Sequence, residues 1–350
     1  MFLPPSEEVR RLPFACAQAC ITSTTLTLSR RFGWDRLNNI PKLRDGLTNH
    51  AISAQLVPPK AGAESPGRCV LLRSRLIMIR ILVITLLTIS LFRPIISQAC
   101  SIIYYIDKRT GKIYVANNED YWYDVKPYIQ IIPKSENKLA RLWYGWNNLA
   151  QGGINEAGLF FDGATTPEQK TPDGYVTSYN GNVGDELLAS CKTVSDAINF
   201  LEQRKIAISE GHLMFGDSSG NASIIEWVHG EKRIIPIVDN KLVMTNFLLS
   251  DTTAGNFPCE RYNSINENIR LFEDKQDTMS LTKLRSVIRN AVQLPRSNDQ
   301  GRQIGTLYST FINISDMQFV LSYKLDDTKL IALNLSSEFK KTKKRIIILK

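Results

Sequence analysis

Cys100 stands where a secretory signal peptide would be cut, and it is the residue best placed to do chemistry. Met78-Ile79-Arg80 is a short basic start, and an uncharged apolar run extends from Ile81 to Phe92. Ser97-Gln98-Ala99 then places small residues three and one before the bond, which is the pattern of a signal-peptide cleavage site. Cleavage after Ala99 would give one residue both a thiol nucleophile and an α-amino base. An α-amino group titrates at about pH 7.7–8.0, close enough to neutrality to take the proton of a thiol.

Two other interpretations of Cys100 stay open from this stretch alone. A lipidated cysteine also follows a signal peptide, but the lipoprotein pattern has Leu or a similar apolar residue where this chain has Ser97. A disulfide is the common state of cysteine in an exported protein. Three cysteines remain after the cut, the other two being Cys191 and Cys259, and an odd number leaves one thiol unpaired.

Histidine, a frequent partner of catalytic cysteine, occurs after the cut only as His212 and His229. Both lie in stretches of alternating polarity, which predicts half-exposed positions on strands. A papain-like protease that uses Cys191 or Cys259 with His212 is therefore kept as an alternative to a site at Cys100. The H-E-x-x-H pattern of zinc enzymes is absent from the sequence, and we predict no metal and no cofactor.

Most of the positive charge precedes Cys100. The chain has a formal net charge of +9, and residues 1–99 contain 13 of its 43 Lys and Arg but only 5 of its 34 Asp and Glu. The remaining 30 basic and 29 acidic residues give a net charge of +1, which argues against nucleic-acid binding. The alternative to a cleaved signal peptide is a signal-anchor that holds the protein to a membrane. The apolar run is shorter than the roughly 20 residues that span a membrane, which favours cleavage, and we expect no stable membrane insertion afterwards.

The same features predict the domain organisation. Because a signal sequence works from the N-terminus, Met78 is the predicted start, and residues 1–77 are predicted to be a non-native or disordered extension. Residues 78–99 are the predicted signal peptide, and 100–350 a single catalytic domain.

Residue patterning after Cys100 predicts an α+β protein. Strands alternate with two pairs of helices, an order typical of antiparallel sheets covered by helices. The basic end, from Lys340 to Arg345, is predicted to be a solvated tail. The predicted strands are Ser101–Asp107, Ile113–Asn117, Tyr128–Ile132, Leu142–Tyr144, Leu159–Asp162, Leu213–Gly216, Ala222–Val228, Arg233–Val238, Leu242–Asn246, Thr306–Ile312, Gln318–Tyr323 and Lys329–Leu333, and the predicted helices are Glu186–Ser190, Val194–Gln203, Glu260–Phe272 and Leu281–Val292.

Polar residues collect where two predicted strands end. The first hairpin returns the segment Ala116–Trp122 to the neighbourhood of Cys100, where an Asp could orient an α-amino group as the carboxylate of a catalytic triad orients its base. An ordinary strand exit rich in Asn and Asp is the alternative for this segment. At the end of a later strand, Asn246 offers a carboxamide donor of the kind that stabilises an oxyanion.

Three further features of the sequence have a purely structural interpretation as well as a functional one. The segment Gly152–Leu159 is predicted to be a turn in which glycines supply positive φ. Arg261, at the start of a predicted helix, is expected to make a surface ion pair unless it binds a substrate carboxylate. Five aromatic residues are candidates either for lining an apolar acyl pocket or for packing the sheets, namely Tyr121, Trp122, Trp143, Tyr144 and Trp146.

Taken in order, these segments resemble the choloylglycine hydrolase family and its linear-amide relatives among the N-terminal-nucleophile hydrolases, which include penicillin V acylase and isopenicillin N acyltransferase. The resemblance spans about Cys100 to Leu335 and implies a four-layer αββα sandwich of two antiparallel sheets between helical layers. The segments that carry it are Cys100-Ser101, Asn117-Asn118-Glu119-Asp120-Tyr121-Trp122, Gly153-Ile154-Asn155-Glu156-Ala157-Gly158-Leu159, Thr245-Asn246-Phe247 and Thr306-Leu307-Tyr308-Ser309.

The resemblance also implies roles for individual residues. Cys100 would be the nucleophile with its own amine as base, Asp120 would hold that amine, and Asn246 would lie in or beside the oxyanion hole. Bile-salt hydrolases and penicillin V acylases usually have Arg where this chain has Asn117, which favours the broader linear-amide hydrolases over bile-salt specificity. The implied catalytic residues are Cys100, Asp120 and Asn246, and the implied substrate-binding residues are Asn117, Thr165 and Arg261.

The expected function is that of a secreted or periplasmic amidohydrolase that cleaves linear amides, other than peptide bonds, through an acyl thioester. Its expected partner is a small acyl-amide substrate, and a homo-oligomer is left open. The alternative from another class is a secreted or lipid-anchored binding protein with the same fold and no turnover. Hydrolysis and acyl transfer to an amine are not distinguished by the sequence.

Overall fold

Two antiparallel sheets dominate the computed structural model, which describes residues 100–253, 255 and 257–350. The predictions for residues 1–77 and 78–99 lie outside the described residues. The strands are β1 (Ser101–Ile106), β2 (Ile113–Trp122), β3 (Tyr128–Ile132), β4 (Arg141–Trp146), β5 (Leu149–Asn155), β6 (Phe160–Thr165), β7 (Gly211–Gly216), β8 (Ala222–Val228), β9 (Glu231–Pro236), β10 (Lys241–Met244), β11 (Arg296–Ser297), β12 (Gln303–Asn313), β13 (Gln318–Tyr323), β14 (Asp326–Asn334) and β15 (Arg345–Ile348). The helices are α1 (Val183–Ser190), α2 (Val194–Gln203), α3 (Glu260–Asp274), α4 (Leu281–Ile288) and α5 (Leu335–Glu338), with a 3₁₀ turn at Arg289–Ala291.

The first sheet has the order β10-β1-β2-β12-β13-β14, with the short β11 paired to β12. The second sheet has the order β15-β3-β4-β5-β6-β7-β8-β9. The pairs between these strands are antiparallel. Strand β1, which directly follows Cys100, and its hairpin partner β2 lie inside the first sheet. Each of them has a paired strand on both sides, which fixes its position.

The side chains of β1 point alternately to the two faces of the first sheet, and this shows how the layers stack. Ile102 and Tyr104 belong to a core that also contains residues of the second sheet, such as Leu142. Ile103 and Tyr105 point the other way, into a core shared with α3 and α4. Because successive side chains of a strand face opposite sides, β1 separates the inter-sheet core from a helix-covered core.

The second sheet is covered by helices in the same way. Leu187 of α1 and Leu201 of α2 pack with Phe161, Phe215 and Trp227 on its outer face. The order of layers is therefore helix, sheet, sheet, helix. The predicted four-layer α+β sandwich is confirmed.

Strand β2 is longer than predicted, and this changes the surroundings of Cys100. It continues past Asn117 to Trp122 because β12 pairs with this extension, for example Thr306 with Asp120. The polar segment is therefore part of a central strand, and the alternative of an ordinary strand exit is wrong.

The prediction of a turn at Gly152–Leu159 is wrong for its first half. Gly153 lies in β5, where a Cβ atom would stand 2.4 Å from the carbonyl oxygen of Leu142, so glycine is needed for close packing. The turn itself comes later, where the Gly158 amide donates to the Asn155 carbonyl and Gly158 has a φ of +84°.

The basic residues from Lys340 to Arg345 are exposed to solvent, as predicted, but the chain end is not a free tail. Arg345–Ile348 forms β15 and pairs with β3 at the edge of the second sheet. Lys341 and Arg345 make ion pairs with Glu338. Charged residues are common on edge strands, so the basic run beside residues 346–348 does not exclude a strand. Within the part of the chain that the structure describes, no helix has the length and apolarity needed to cross a membrane.

Candidate active site

Cys100 directly precedes β1, and its side chain points between the sheets. It is 4% exposed, and its thiol donates a hydrogen bond of 3.4 Å to Glu119 Oε1. The register of the hairpin pairs Ser101 with Asn118, which places Cys100 next to Glu119 and Asp120. The backbone N–H of Asp120 also hydrogen-bonds the thiol and favours its ionised form. The hairpin therefore holds the thiol against the polar end of β2, as the sequence predicted.

The polar residues of β2 divide between its two faces. Glu119 shares the inter-sheet face with Cys100 and accepts a 3.3 Å hydrogen bond from Asn117 Nδ2. Asp120 lies on the helix-covered face, where Thr306 Oγ1 donates to its Oδ1 at 2.5 Å. The other oxygen of Asp120 is buried and has no hydrogen-bond partner among the described residues.

Arg261 joins the parts of the site. From the first turn of α3, its Nη1 donates to the Cys100 carbonyl at 2.7 Å and to Ser101 Oγ at 2.8 Å. Its Nη2 donates to Asn246 Oδ1 at 2.9 Å, and Nη1 lies 3.8 Å from Asp120 Oδ2. Its side chain is 15% exposed, so the expected surface ion pair is wrong.

Asn246 connects this cluster to the second sheet. Just after β10, its Nδ2 donates to the Thr165 carbonyl at 2.8 Å and to Thr165 Oγ1 at 3.1 Å. Thr165 ends β6, so residues from the two sheets meet here. The structure thus brings all six site residues inferred from the sequence into one cluster: Cys100, Asn117, Asp120, Thr165, Asn246 and Arg261. Their individual roles stay predictions.

Burial sets the ionisation of the site. It raises the pKa of Glu119 to about 7 and that of Asp120 to about 8, although Thr306 and Arg261 act to lower the latter. Burial, and then the neighbouring carboxylates, also raise the pKa of the Cys100 thiol well above its usual value. Among the described residues, Arg261 and Arg296 both act to lower the pKa of Asp120, but they do not offset the effect of its burial.

The sequence motifs do not single out Glu119 and Asp162 as individual site groups. Asp162 is buried on the inter-sheet face of β6 and accepts a 2.7 Å hydrogen bond from Tyr144. Alternation along β2 could have found Glu119, since it shares a face with Asn117. Nothing in the sequence signals Asp162, because it depends on how the two sheets are stacked.

A pocket of about 230 Å³ opens beside the thiol. Cys100, Glu119 and Thr165 border it together with apolar side chains from β6, β7 and α1 and the loop before β7, including Phe161, Leu187, Ile208 and Leu213. A larger cleft of about 420 Å³ lies under α4 on the helix-covered face of the first sheet, and the described residues that line it do not include Cys100.

Of the two roles considered for the five aromatic residues, lining an acyl pocket or packing the sheets, the structure shows packing. Trp143, Tyr144 and Trp146 are buried, and Tyr121 stacks on Trp146 with ring centroids 4.4 Å apart. Trp122 lies under the guanidinium of Arg302. None of the five is among the described residues that line the pocket at Cys100.

The remaining cysteines and histidines do not form a second nucleophilic site in the described part of the chain. Cys191 and Cys259 are buried free thiols and do not pair with each other. His212 is fully buried rather than half-exposed, with Nδ1 3.0 Å from Glu226 Oε1 and Nε2 2.6 Å from the Thr245 carbonyl. Both nitrogens are therefore engaged by groups other than a thiol. Within the described residues, no group of three His, Cys, Asp or Glu could hold a metal ion.

Comparison with known proteins gives a family match. Residues 107–325, more than half of the chain, match the family model of acyl-coenzyme A:6-aminopenicillanic acid acyl-transferase. The chain belongs to this family. The match confirms the resemblance to the N-terminal-nucleophile group that the motifs indicated. No curated protein matches the chain significantly.

Solved structures of the family's wider group share the fold. A single-site variant of conjugated bile acid hydrolase from Clostridium perfringens has a TM-score of 0.58 at 12% identity, covering 71% of this chain and 97% of that one. Penicillin V acylase from Agrobacterium tumefaciens has a TM-score of 0.56 at 19% identity, covering 71% of this chain and 91% of that one. At these identities the likeness shows the fold.

Proposed function

We propose that the chain is an exported hydrolase that cleaves linear amide C–N bonds, other than peptide bonds, through an acyl thioester on Cys100. The observation that carries the proposal is a thiol in contact with Glu119 and the Asp120 backbone at the border of a largely apolar pocket. Membership of an acyl-transferase family supports chemistry at an acyl carbon. The printed names of the two structural relatives, a conjugated bile acid hydrolase and a penicillin V acylase, support amides as the substrate class.

In the proposed reaction, Cys100 Sγ attacks the amide carbonyl and the carbonyl oxygen gains negative charge. Asn246 Nδ2 is a donor for that oxygen, in exchange for its hydrogen bonds to Thr165. Arg261 holds the other end of the Asn246 amide and so fixes where Nδ2 points. The C–N bond then breaks, the amine leaves with a proton, and water hydrolyses the thioester.

The surroundings of Asp120 support the proposal that Cys100 carries a free α-amino group in the processed protein. One of its oxygens is buried without a hydrogen-bond partner among the described residues, and Arg261 approaches it only to 3.8 Å. An unpaired buried carboxylate is unfavourable, and an ammonium at Cys100 would supply the missing positive charge and donor. Cleavage after Ala99 by a signal peptidase, and with it a periplasmic or secreted location, is part of this proposal. The free amine is then a base for the thiol, which an amide nitrogen cannot be.

The pocket supports a small apolar acyl group. Its lining includes Phe161, Leu187, Ile208 and Leu213, and its volume of about 230 Å³ is below the roughly 300–1,000 Å³ of drug-sized ligand sites. A short alkyl or aryl-substituted acyl group fits these properties better than a steroid. Water as the acceptor makes the enzyme a hydrolase; an amine in its place would make it an acyltransferase.

The first test is the Cys100→Ser variant of the processed form, defined as the chain that begins at Cys100. Hydrolysis of phenylacetyl, phenoxyacetyl, short alkanoyl and bile-acid amides should fall by at least about 10³-fold, because a hydroxyl is much harder to deprotonate than a thiol. Cys191→Ser, which alters another buried thiol, should keep turnover. An acyl adduct of Cys100 in acid-quenched wild type, seen by mass spectrometry, would identify the thioester. Activity that survives in Cys100→Ser would refute the proposal.

The second test compares the processed form with an extended form, in which an uncleavable segment keeps Ala99 joined to Cys100. Turnover should fall by roughly 10²–10⁴-fold in the extended form, the range associated with loss of a general base. The mass of the mature N-terminus from the native host separates the alternatives. An unmodified Cys100 favours the enzyme, whereas a diacylglyceryl adduct favours a lipid-anchored binding protein.

A further inference from the structure

Glu119 is a buried carboxyl group that the mechanism above leaves without a role. One of its oxygens accepts from the Cys100 thiol at 3.4 Å, and the other accepts from Asn117 Nδ2 at 3.3 Å. Its side chain is held in this position from both sides, and the residue is 4% exposed. Glu119 and Cys100 both border the 230 Å³ pocket. The carboxyl group therefore touches the reacting sulfur at the place where an amide substrate would meet it.

The groups that face Glu119 from neighbouring strands are acids rather than bases. Cys100 before β1, Asp162 of β6, Tyr144 of β4, Tyr308 of β12 and Asp120 of β2 itself all interact electrostatically with it, and each is neutral or negative. His212 of β7 borders the same pocket, but its ring nitrogens contact Glu226 and the Thr245 carbonyl. Among the described residues, no Lys, Arg or His makes an ion pair with Glu119. Of the acidic groups, the Cys100 thiol is the one that hydrogen-bonds Glu119 directly.

The surroundings of Glu119 also place its protonation equilibrium in a useful range. Burial raises its pKa to about 7, while the hydrogen bonds from Asn117 and Cys100 act in the opposite direction. A general base works best when its pKa lies near the operating pH, since it is then both available and able to give the proton back. The pKa of an ordinary exposed Glu, about 4.3, would make it a weak base for a thiol.

We propose that Glu119 is a proton acceptor for the Cys100 thiol, one that works without a free α-amino group. The inference rests on the proposed function and adds a second base to it. As Sγ bonds to the acyl carbon, the thiol proton moves to Glu119 Oε1. When the C–N bond breaks, that proton passes to the leaving nitrogen. Water then attacks the thioester, gives one proton to Glu119, and the released sulfur recovers it as the acid product forms.

The extended form isolates Glu119, because an amide nitrogen at Cys100 cannot accept a proton. Alkylation of Cys100 by iodoacetamide, followed by mass spectrometry across pH 5 to 10, reports the reactive thiolate without any amide substrate. In the wild-type extended form the rate should rise through about pH 7, as the carboxyl group loses its own proton and can take that of the thiol. Glu119→Gln should lose this step and show only a rise at the higher pKa of the thiol.

Two further variants serve as a conservative substitution and as a control. Glu119→Asp retains a carboxylate on a shorter side chain, so the step should persist with a smaller amplitude. Glu338→Gln makes the matched change at another buried carboxylate, which contacts Lys341 and Arg345, and should leave the profile unchanged. Thermal unfolding of each variant checks that it is folded. In the processed form, Glu119→Gln should reduce kcat/KM by only about tenfold, because the amine still serves as base; in the extended form the residual turnover should fall by about 10²-fold.

Several results would overturn the inference. These are a wild-type extended form without a step near pH 7, a Glu119→Gln profile that superimposes on wild type, or faster alkylation in Glu119→Gln at neutral pH. The last result would mean that Glu119 acts only as a negative charge that opposes the thiolate. Failure of the proposed function is distinguishable, because it appears as amide turnover in Cys100→Ser, whatever the alkylation profile shows.

Discussion

Asp120 and Glu119 are neighbours in β2 and yet lie in opposite electrostatic surroundings. Asp120 faces the helix-covered side of the sheet, with Thr306 on one oxygen and Arg261 3.8 Å from the other. Glu119 faces the inter-sheet core, where it accepts from the Cys100 thiol and makes no ion pair with a Lys, Arg or His in the described part of the chain. Because strand side chains alternate, one dipeptide supplies a carboxylate for each face. The comparison separates a carboxyl group that lies near a cation from a carboxyl group that contacts the proposed nucleophile.

The comparison also shows that a nearby cation does not guarantee an ionised carboxylate. Burial keeps the pKa of Asp120 at about 8 although Arg261 is close. The N–H groups of Arg261 are directed to the Cys100 carbonyl, Ser101 Oγ and Asn246, so Asp120 receives its field at 3.8 Å without a hydrogen bond. The arginine therefore organises the site more than it neutralises Asp120.

Removing the cation from the Asp120 side should have the largest effect. Arg261→Met should lower the free energy of unfolding by about 3 kcal/mol, because the Cys100 carbonyl, Ser101 Oγ and Asn246 Oδ1 each lose a hydrogen-bond donor. Amide turnover should fall by about 10²–10³-fold, since Asn246 loses the group that orients it. Arg270→Met, on the same helix but with exposed ion pairs to Glu267 and Asp274, is the matched control and should change little. Equal losses in the two variants, by chemical denaturation and turnover, would contradict this role for Arg261.

Neutralising Asp120 should change how stability depends on pH in the extended form. Its folded pKa of about 8 lies above the unfolded value near 4, so between these values the folded state binds more protons and stability falls as pH rises. Asp120→Asn should flatten the decline between pH 5 and 9. Asp124→Asn is the control: Arg302 lowers the pKa of this exposed carboxylate, so it titrates below the window. Urea unfolding at several pH values measures the slope, and an unchanged slope in Asp120→Asn would rule out this titration. The processed form should decline less steeply, because an ammonium beside Asp120 favours its charged state.

Thr306→Val should have the smallest effect. It removes the donor to Asp120 Oδ1 and the acceptor of the Gln293 N–H, so the folded pKa of Asp120 should rise further and stability at pH 8 should fall by about 1–2 kcal/mol. Thr310→Val, on the same strand, alters a hydroxyl that reaches Tyr144 OH at 3.4 Å instead of Asp120. A similar loss in both variants at pH 8 would indicate general loosening of β12 rather than an effect on Asp120.

The sequence by itself determined the nucleophile candidate and the order of elements. The positions of β3, β8, β13 and α2 agree with their predicted bounds, because alternating or helical apolar spacing is local information. The resemblance to a family also implied a common site for Cys100, Asp120, Asn246 and Arg261, which the structure brings together. Residue spacing alone does not show that these four residues lie close to one another.

Tertiary structure decided what those residues touch. The extension of β2 depends on pairing with β12, and the burial of Arg261 depends on α3 packing against the first sheet. The contact between Glu119 and the thiol follows from the register of a hairpin, which no composition or motif specifies. Asp162 reaches the same polar cluster only because two sheets stack face to face. These relations join residues far apart in the chain, and long-range packing, rather than local propensity, fixes both the distances and the pKa values that the proposed chemistry needs.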